Sequence, residues 1–257
     1  MSLPRVPNRP VSVVLLHGQP GTSEVWTQVL ARLPSDVLVT APDRPGYGRN
    51  PAPATGLGDN AERLVGELRS HGRTPALVVA HSWAGGIALA LAERHPEAVG
   101  GLALLGSLGP GAVLVFDRVL AAPFLGPALV ASAFYLAAPL ARRRLRRLVG
   151  DESEVEQILA ANRRGRAWRS FVVEQRAMLL ELPGLVARLS DIRAPTVVVA
   201  GERDRLVPPA TARALAAAIP GADLRTLVGV GHDLPLEAPD AVAAAVVDLI
   251  ARVEAAR

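Results

Sequence analysis

Residues Ala76 to Ala90 read ALVVAHSWAGGIALA, and the parsing of this stretch decides the fold. The apolar run Leu77 to Ala80 has the length of a strand and meets Ser82 among small residues, after which apolar residues recur at helical spacing. A strand, a sharp turn and a helix are predicted. A serine at the apex of such a turn is pushed out of the sheet, and the helix N-terminus behind it supplies N–H groups and positive potential. Ser82 is therefore the candidate nucleophile.

The segment resembles the nucleophile elbow of the α/β-hydrolase superfamily, usually written GxSxG. Ala80 and Ala84 stand where the glycines would be, and Gly85 and Gly86 follow at once. Strand and helix pack closely at an elbow, and alanine meets that need for a small side chain nearly as well as glycine does. The resemblance implies a doubly wound, mostly parallel α/β sheet and a nucleophile served by a histidine and an acid.

On the N-terminal side, Val11 to Leu16 is a continuous apolar run suited to a strand buried on both faces, and it leads into His17-Gly18-Gln19-Pro20-Gly21. Read alone, HGQPG is a turn with His17 as a buried hydrogen-bonding residue. In the resembling family an HG loop supplies one oxyanion-hole N–H. Carried over, that donor is Gln19, with the N–H of Trp83 as the second, and the Trp83 ring is expected to border the acyl pocket. So few residues precede this strand that the family's opening antiparallel hairpin is expected to be shortened or missing. Thr22 or Ser23 is expected to cap a helix to about Leu33, and a strand over Val37 to Thr40 ends in APDRPGYGRN, where Asp43 and Arg44 are read as structural ties between loops. A helix over Asn60 to Ser70 precedes the elbow, and His81 is expected to point away from Ser82 by strand alternation.

On the C-terminal side, the strand Thr196 to Ala200 runs into GERDRLVPP, and the family places its triad acid in such a loop; Asp204 fits, with Glu202 and Asp223 as weaker candidates. After a helix to Ile219 and a strand from Asp223 comes GVGHDLPLEAPDAV. It is similar to the family's GHxxxxExP segment, with Glu237 and Pro239 in register, and the resemblance makes His232 the general base. The order Ser, Asp, His is that of the superfamily.

Between these halves the rhythm changes. Residues 1–109 and 193–257 read as the core, and 110–192 as a helical insertion which in the resembling family forms a cap over the active site. Val119 to Ala141 is uncharged for 23 positions and precedes Arg142, Arg143, Arg144, Arg146 and Arg147. The 11 residues between Pro127 and Pro139 give about 16 Å of helix, against the roughly 30 Å of a hydrocarbon core, so no transmembrane span is expected. Peripheral contact of this apolar and basic surface with an anionic membrane remains open. Arg163, Arg164, Arg166 and Arg169 add to the basic character, and the arginines raise the expectation of a preference for anionic substrates.

Composition bounds the partners. A chain of 257 residues, half of them hydrophobic, can bury one large core. All basic side chains are arginine, the net charge is only +4 and aromatic residues are 4% of the total, which argues against a nucleic-acid surface. There is no cysteine, and His17, His71, His81, His95 and His232 lack metal-ligand spacing, so neither metal nor cofactor is expected. The MSLPRVPNRP start and the short apolar run after it do not read as a signal peptide, and a cytoplasmic location is the default.

Together these readings give a capped α/β hydrolase cleaving a carboxylic ester of a small, largely apolar substrate through Ser82, His232 and Asp204. The HGQP and Ser-Trp spellings also resemble haloalkane dehalogenases and epoxide hydrolases, whose nucleophile is a carboxylate; Ser82 counts against both chemistries. Carbon–carbon bond or lactone hydrolysis, acyl transfer and perhydrolysis would use the same triad. A ligand-binding receptor of the same fold is the alternative from another class.

Overall fold

The computed structural model describes residues 11–164 and 167–255; the MSLPRVPNRP stretch, the side chains of Arg163 and Arg164, and Arg166 lie outside the described residues. Six strands, β1 (Ser12–Leu16), β2 (Leu38–Thr40), β3 (Ala76–His81), β4 (Val99–Leu105), β5 (Thr196–Gly201) and β6 (Asp223–Leu227), form one sheet in the order β2-β1-β3-β4-β5-β6. Every neighbouring pair is parallel, and no antiparallel strand occurs among the described residues.

Strand alternation sorts the core into two layers. Val14, Leu16, Val78 and Ala80 face the side covered by α2 (Leu57–Ser70), α3 (Ala84–Arg94) and α9 (Pro209–Ala218). Val13, Leu15, Leu77 and Val79 face α1 (Thr27–Leu30) and α11 (Pro239–Ala255). Because both faces are covered, β1, β3 and β5 are buried along their whole length and read as unbroken apolar runs. Each fully buried leucine or valine of these strands contributes roughly 1.5–3 kcal/mol relative to exposure.

Five further helices, α4 (Val115–Ala121), α5 (Leu125–Leu136), α6 (Ala138–Val149), α7 (Glu152–Arg164) and α8 (Ala167–Val186), are inserted between β4 and β5. The axes of α4 and α5 meet at 100°, and no single helix among the described residues is long and apolar enough to cross a membrane. A short helix α10 (Leu234–Glu237) precedes α11.

Two boundaries differ from the sequence pattern. The helix expected from Thr22 or Ser23 to Leu33 is a 3-10 turn, Ser23–Trp26, followed by the single α-turn α1. Its first amide is satisfied by a distant group, since the Ser23 N–H donates to Asp43 Oδ1 at 2.7 Å while the Thr22 side chain makes no capping bond. Likewise α2 starts at Leu57, three residues before the expected Asn60, whose side chain donates to the carbonyls of Thr55 and Gly56.

The strand order places the site. From β1 the chain steps out to β2 and then returns to β3 on the other side of β1, so the loops leaving β1 and β3 diverge and leave a crevice at their carboxyl ends. Leu16 pairs with Ala80, which sets the HG loop beside the serine turn.

Candidate active site

Ser82 directly follows β3 and has φ 57°, the left-handed region that a residue with a Cβ rarely adopts. Strain of this kind costs on the order of 1–3 kcal/mol and needs surrounding structure to hold it. Here the Ser82 N–H donates to the Leu105 carbonyl of β4 at 2.8 Å, and the Ser82 carbonyl accepts from Gly85 and Leu108. The turn is tight enough that a methyl group on Gly85 would lie 1.8 Å from Ser107 Oγ. Alanine is tolerated at positions 80 and 84, and both are fully buried.

Ser82 Oγ lies 2.9 Å from His232 Nε2, and His232 Nδ1 lies 2.7 Å from Asp204 Oδ2. With a carboxylate oxygen as its partner, Nδ1 donates, which leaves Nε2 to accept the hydroxyl hydrogen of Ser82. Asp204 Oδ1 accepts the N–H groups of Leu206 and Val207, each at 2.9 Å, and the residue is 5% exposed. The other acids considered are engaged elsewhere: Glu202 accepts from Gly229 N–H, and Asp223 pairs with Arg225 and Arg252. Glu237 clasps the histidine loop from both sides, accepting from Gly231 N–H at 2.7 Å and Asp233 N–H at 3.1 Å.

Neither Gln19 N–H nor Trp83 N–H donates to an acceptor among the described residues. The Gln19 side chain reaches the other way, its Nε2 donating to the Phe171 carbonyl of α8 at 2.8 Å.

A cavity of about 160 Å³ opens beside Ser82 and His232, with Val25, Leu206, Pro235 and Leu236 supplying apolar wall. The Trp83 ring is not part of that wall. It is 2% exposed, stacks 4.8 Å from the Arg44 guanidinium and donates from Nε1 to the Glu174 carbonyl at 3.2 Å. The elbow turns this side chain into the packing between core and insertion, against Arg44 and Glu174. Among the described residues no arginine lines the cavity either. In α6, Arg142 and Arg146 pair with Glu152, and Arg144 with Asp233 and Glu237.

His81 also departs from expectation. It lines the same cavity as Ser82, because the positive φ at Ser82 ends the strand alternation. Its Nε2 lies 2.8 Å from the His232 carbonyl and therefore carries the proton; burial first, and then the neighbouring His232, push its pKa well below the usual histidine range. His17 is held neutral as well: burial, with Arg44 beside it, lowers its pKa to about 3. His17 Nε2 accepts the Arg44 N–H at 2.9 Å, so Nδ1 carries the proton and donates to the Gly18 carbonyl at 2.9 Å.

One buried polar cluster beside the site was missed. Arg44, only 2% exposed, donates to the carbonyls of His17 (2.8 Å) and Gly18 (2.9 Å) and pairs with the fully buried Glu174 of α8, which also accepts from Tyr47 Oη at 2.7 Å. Arg44 does tie loops together, but its carboxylate partner comes from the insertion. The signal was there: Ser170, Glu174, Met178 and Leu182 recur every four residues along one buried face of α8. An acid in such a stripe needs a buried cation. No cluster of three or more His, Cys, Asp or Glu able to hold a metal occurs among the described residues.

Residues 13–245 match the model of the alpha/beta hydrolase family. The chain is 31% identical over 229 residues to a 2-hydroxymuconate semialdehyde hydrolase of Pseudomonas putida, covering 84% of this chain and 78% of that protein. It is 30% identical to a pimeloyl-[acyl-carrier protein] methyl ester esterase of Aromatoleum aromaticum, over 95% of this chain and 99% of that one. The fold is similar to that of a haloalkane dehalogenase from Bradyrhizobium elkani, with a TM-score of 0.77 and 25% identity over 96% and 92% of the two chains.

Proposed function

Because the chain belongs to the alpha/beta hydrolase family and is an enzyme of that kind, we propose that it is a serine hydrolase cleaving the carboxylic ester of a small, largely apolar substrate. The observation that carries this reading is the contact of Ser82 Oγ with a histidine whose other nitrogen is bound to a buried aspartate. In the proposed sequence Ser82 Oγ attacks the ester carbonyl while its proton passes to His232 Nε2. Asp204 stabilises the imidazolium. The N–H groups of Gln19 and Trp83 hold the oxyanion, each such donor being worth ~10²–10³ in rate. Collapse expels the alkoxide, which takes the proton from His232. Water, deprotonated by the same imidazole, then attacks the acyl-enzyme and releases the acid.

Residues 110–192 act as the cap of this site. The small cavity and its apolar wall favour a short neutral acyl group. A serine nucleophile supports acyl chemistry over dehalogenation. Carbon–carbon bond cleavage remains the second reading, favoured by the similarity to a semialdehyde hydrolase.

The outer face of the cap suits an anionic lipid surface. Leu140, Arg143 and Arg147 follow one another along α6 at steps of three and four; Leu140 is 69% exposed, Leu136 at the end of α5 is 81% exposed, and the two arginines have no carboxylate partner among the described residues. Sedimentation with phosphatidylglycerol vesicles but not with phosphatidylcholine vesicles is the expected result; equal sedimentation with both overturns it.

The main test is labelling with a fluorophosphonate probe alongside a panel of p-nitrophenyl esters of increasing chain length. Wild-type protein is expected to be labelled and to prefer short acyl chains, and Ser82→Ala to do neither. Folded wild-type protein that takes no label refutes the serine-hydrolase reading. Labelling without turnover of any ester refutes the substrate class alone.

A further inference from the structure

The Gly18 carbonyl and the Gln19 N–H belong to one peptide unit. In a planar trans peptide these two groups point in opposite directions, so whatever binds the carbonyl sets the direction of the N–H. Two donors bind this carbonyl: His17 Nδ1 and Arg44 Nη2, each at 2.9 Å. Arg44 Nε holds the preceding carbonyl, that of His17, at 2.8 Å. The guanidinium is itself packed against the rings of Tyr47 and Trp83, 4.9 and 4.8 Å from their centroids, and its remaining edge meets Glu174.

Glu174 belongs to the cap, as does Phe171, whose carbonyl accepts the Gln19 side chain. Positions 171 and 174 lie one turn apart on α8, so a single face of one helix grips the HG loop at two points. We propose that Arg44, held by Glu174, is the positioning residue of the oxyanion hole, and that α8 of the cap thereby aims the Gln19 N–H at the reacting carbonyl. The inference rests on the serine-hydrolase reading above. Glu174 touches no substrate in this arrangement and acts through Arg44 and the Gly18–Gln19 peptide.

A purely structural role and a positioning role differ in one measurable respect. Sulfur is larger than oxygen and accepts hydrogen bonds weakly, so a thionoester gains less from a well-aimed N–H than its ester does. Glu174→Gln keeps the size of the side chain and removes the charge that anchors Arg44, and Gln19→Ala removes the second anchor from a loop where little packing is lost. The experiment compares kcat and KM for matched esters and thionoesters in wild type and both variants. About a tenfold fall in kcat for the ester in Glu174→Gln is expected, a fraction of the ~10²–10³ that follows loss of a donor. KM should change little, and the ester-to-thionoester rate ratio should fall severalfold in both variants. Equal losses on the two substrates, or a change in KM alone, overturn the positioning role while leaving the hydrolase reading intact. If Glu174→Gln fails to fold, the ratio in Gln19→Ala decides: an unchanged ratio overturns the proposal. A wild type inactive on every ester refutes the underlying reading, and this inference with it.

Discussion

Replacing Gly18 with alanine tests the site at its most crowded point. The backbone of Gly18 lies outside the left-handed region, so space alone excludes a side chain there. A methyl group would sit 2.9 Å from His81 Nδ1 and 3.0 Å from Ser82 Cβ. Neither neighbour can give way easily: His81 is buried and bound to the His232 carbonyl, and Ser82 is held by its bond to Leu105. Ordinary contact at about 3.5–4.0 Å therefore requires the HG loop to retreat by roughly 0.5–1 Å. Overpacking of this kind costs about 1–3 kcal/mol, which in a chain of this size lowers Tm by roughly 2–12 °C. A displacement of that size also takes the Gln19 N–H away from the oxyanion, so kcat/KM on a p-nitrophenyl ester should fall ~10²-fold or more. Calorimetry and steady-state kinetics read both quantities. Gly18→Ala protein with unchanged Tm and undiminished kcat/KM would refute the packing and the oxyanion assignment together.

Other expectations follow from the same geometry. Ser82→Gly should abolish turnover and yet raise stability by about 1 kcal/mol in a urea titration, because glycine relieves the φ of 57°; a loss of stability would count against strain at the elbow. Asp204→Asn should lower kcat ~10⁴-fold with the fold preserved, since an amide at this position can favour the wrong imidazole tautomer; near wild-type kcat would return the acid role to another residue. His17 is neutral in the fold with a pKa lowered to about 3, whereas the unfolded chain takes up a proton below pH 6.5. The unfolded state thus binds more protons as pH falls, and this one group removes about 3 kcal/mol of stability between pH 7 and pH 4. His17→Gln should shrink the pH-dependent loss by that amount, measured as unfolding free energy at the two pH values; an unchanged difference would mean that His17 is not buried neutral.

The sheet and the positions that bring Ser82, His232 and Asp204 into contact were legible because each rests on local spelling. Leu77 to Ala80 and Thr196 to Ala200 are apolar runs of strand length, and Ser82, Asp204 and His232 each lie where such a run or its following loop ends. What escaped depends on where side chains turn once the chain is folded. The direction of the Trp83 ring and of His81 follows from the positive φ at Ser82, a backbone angle that leaves no mark in composition. The pairing of Arg44 with Glu174 spans 130 positions and joins two segments that have no pattern in common. Its only trace is an acid on the apolar stripe of α8, which is visible as an anomaly but does not name its partner. Helix starts fared less well, since Ser23 is capped by a carboxylate 20 residues away.

The insertion leaves from β4 and returns at β5, which are neighbours in the sheet, so by connectivity it could be exchanged for another without rerouting any strand. Energetically it is not so detachable. A replacement lacking a carboxylate at the place of Glu174 would leave the Arg44 guanidinium buried against two aromatic rings without its counter-charge, a loss on the order of 3–5 kcal/mol for a buried pair broken on one side. The fold is therefore modular in its wiring and selective in what it accepts. Grafts onto this core should succeed or fail according to whether they bring an acid to that one point, whatever their helices look like elsewhere.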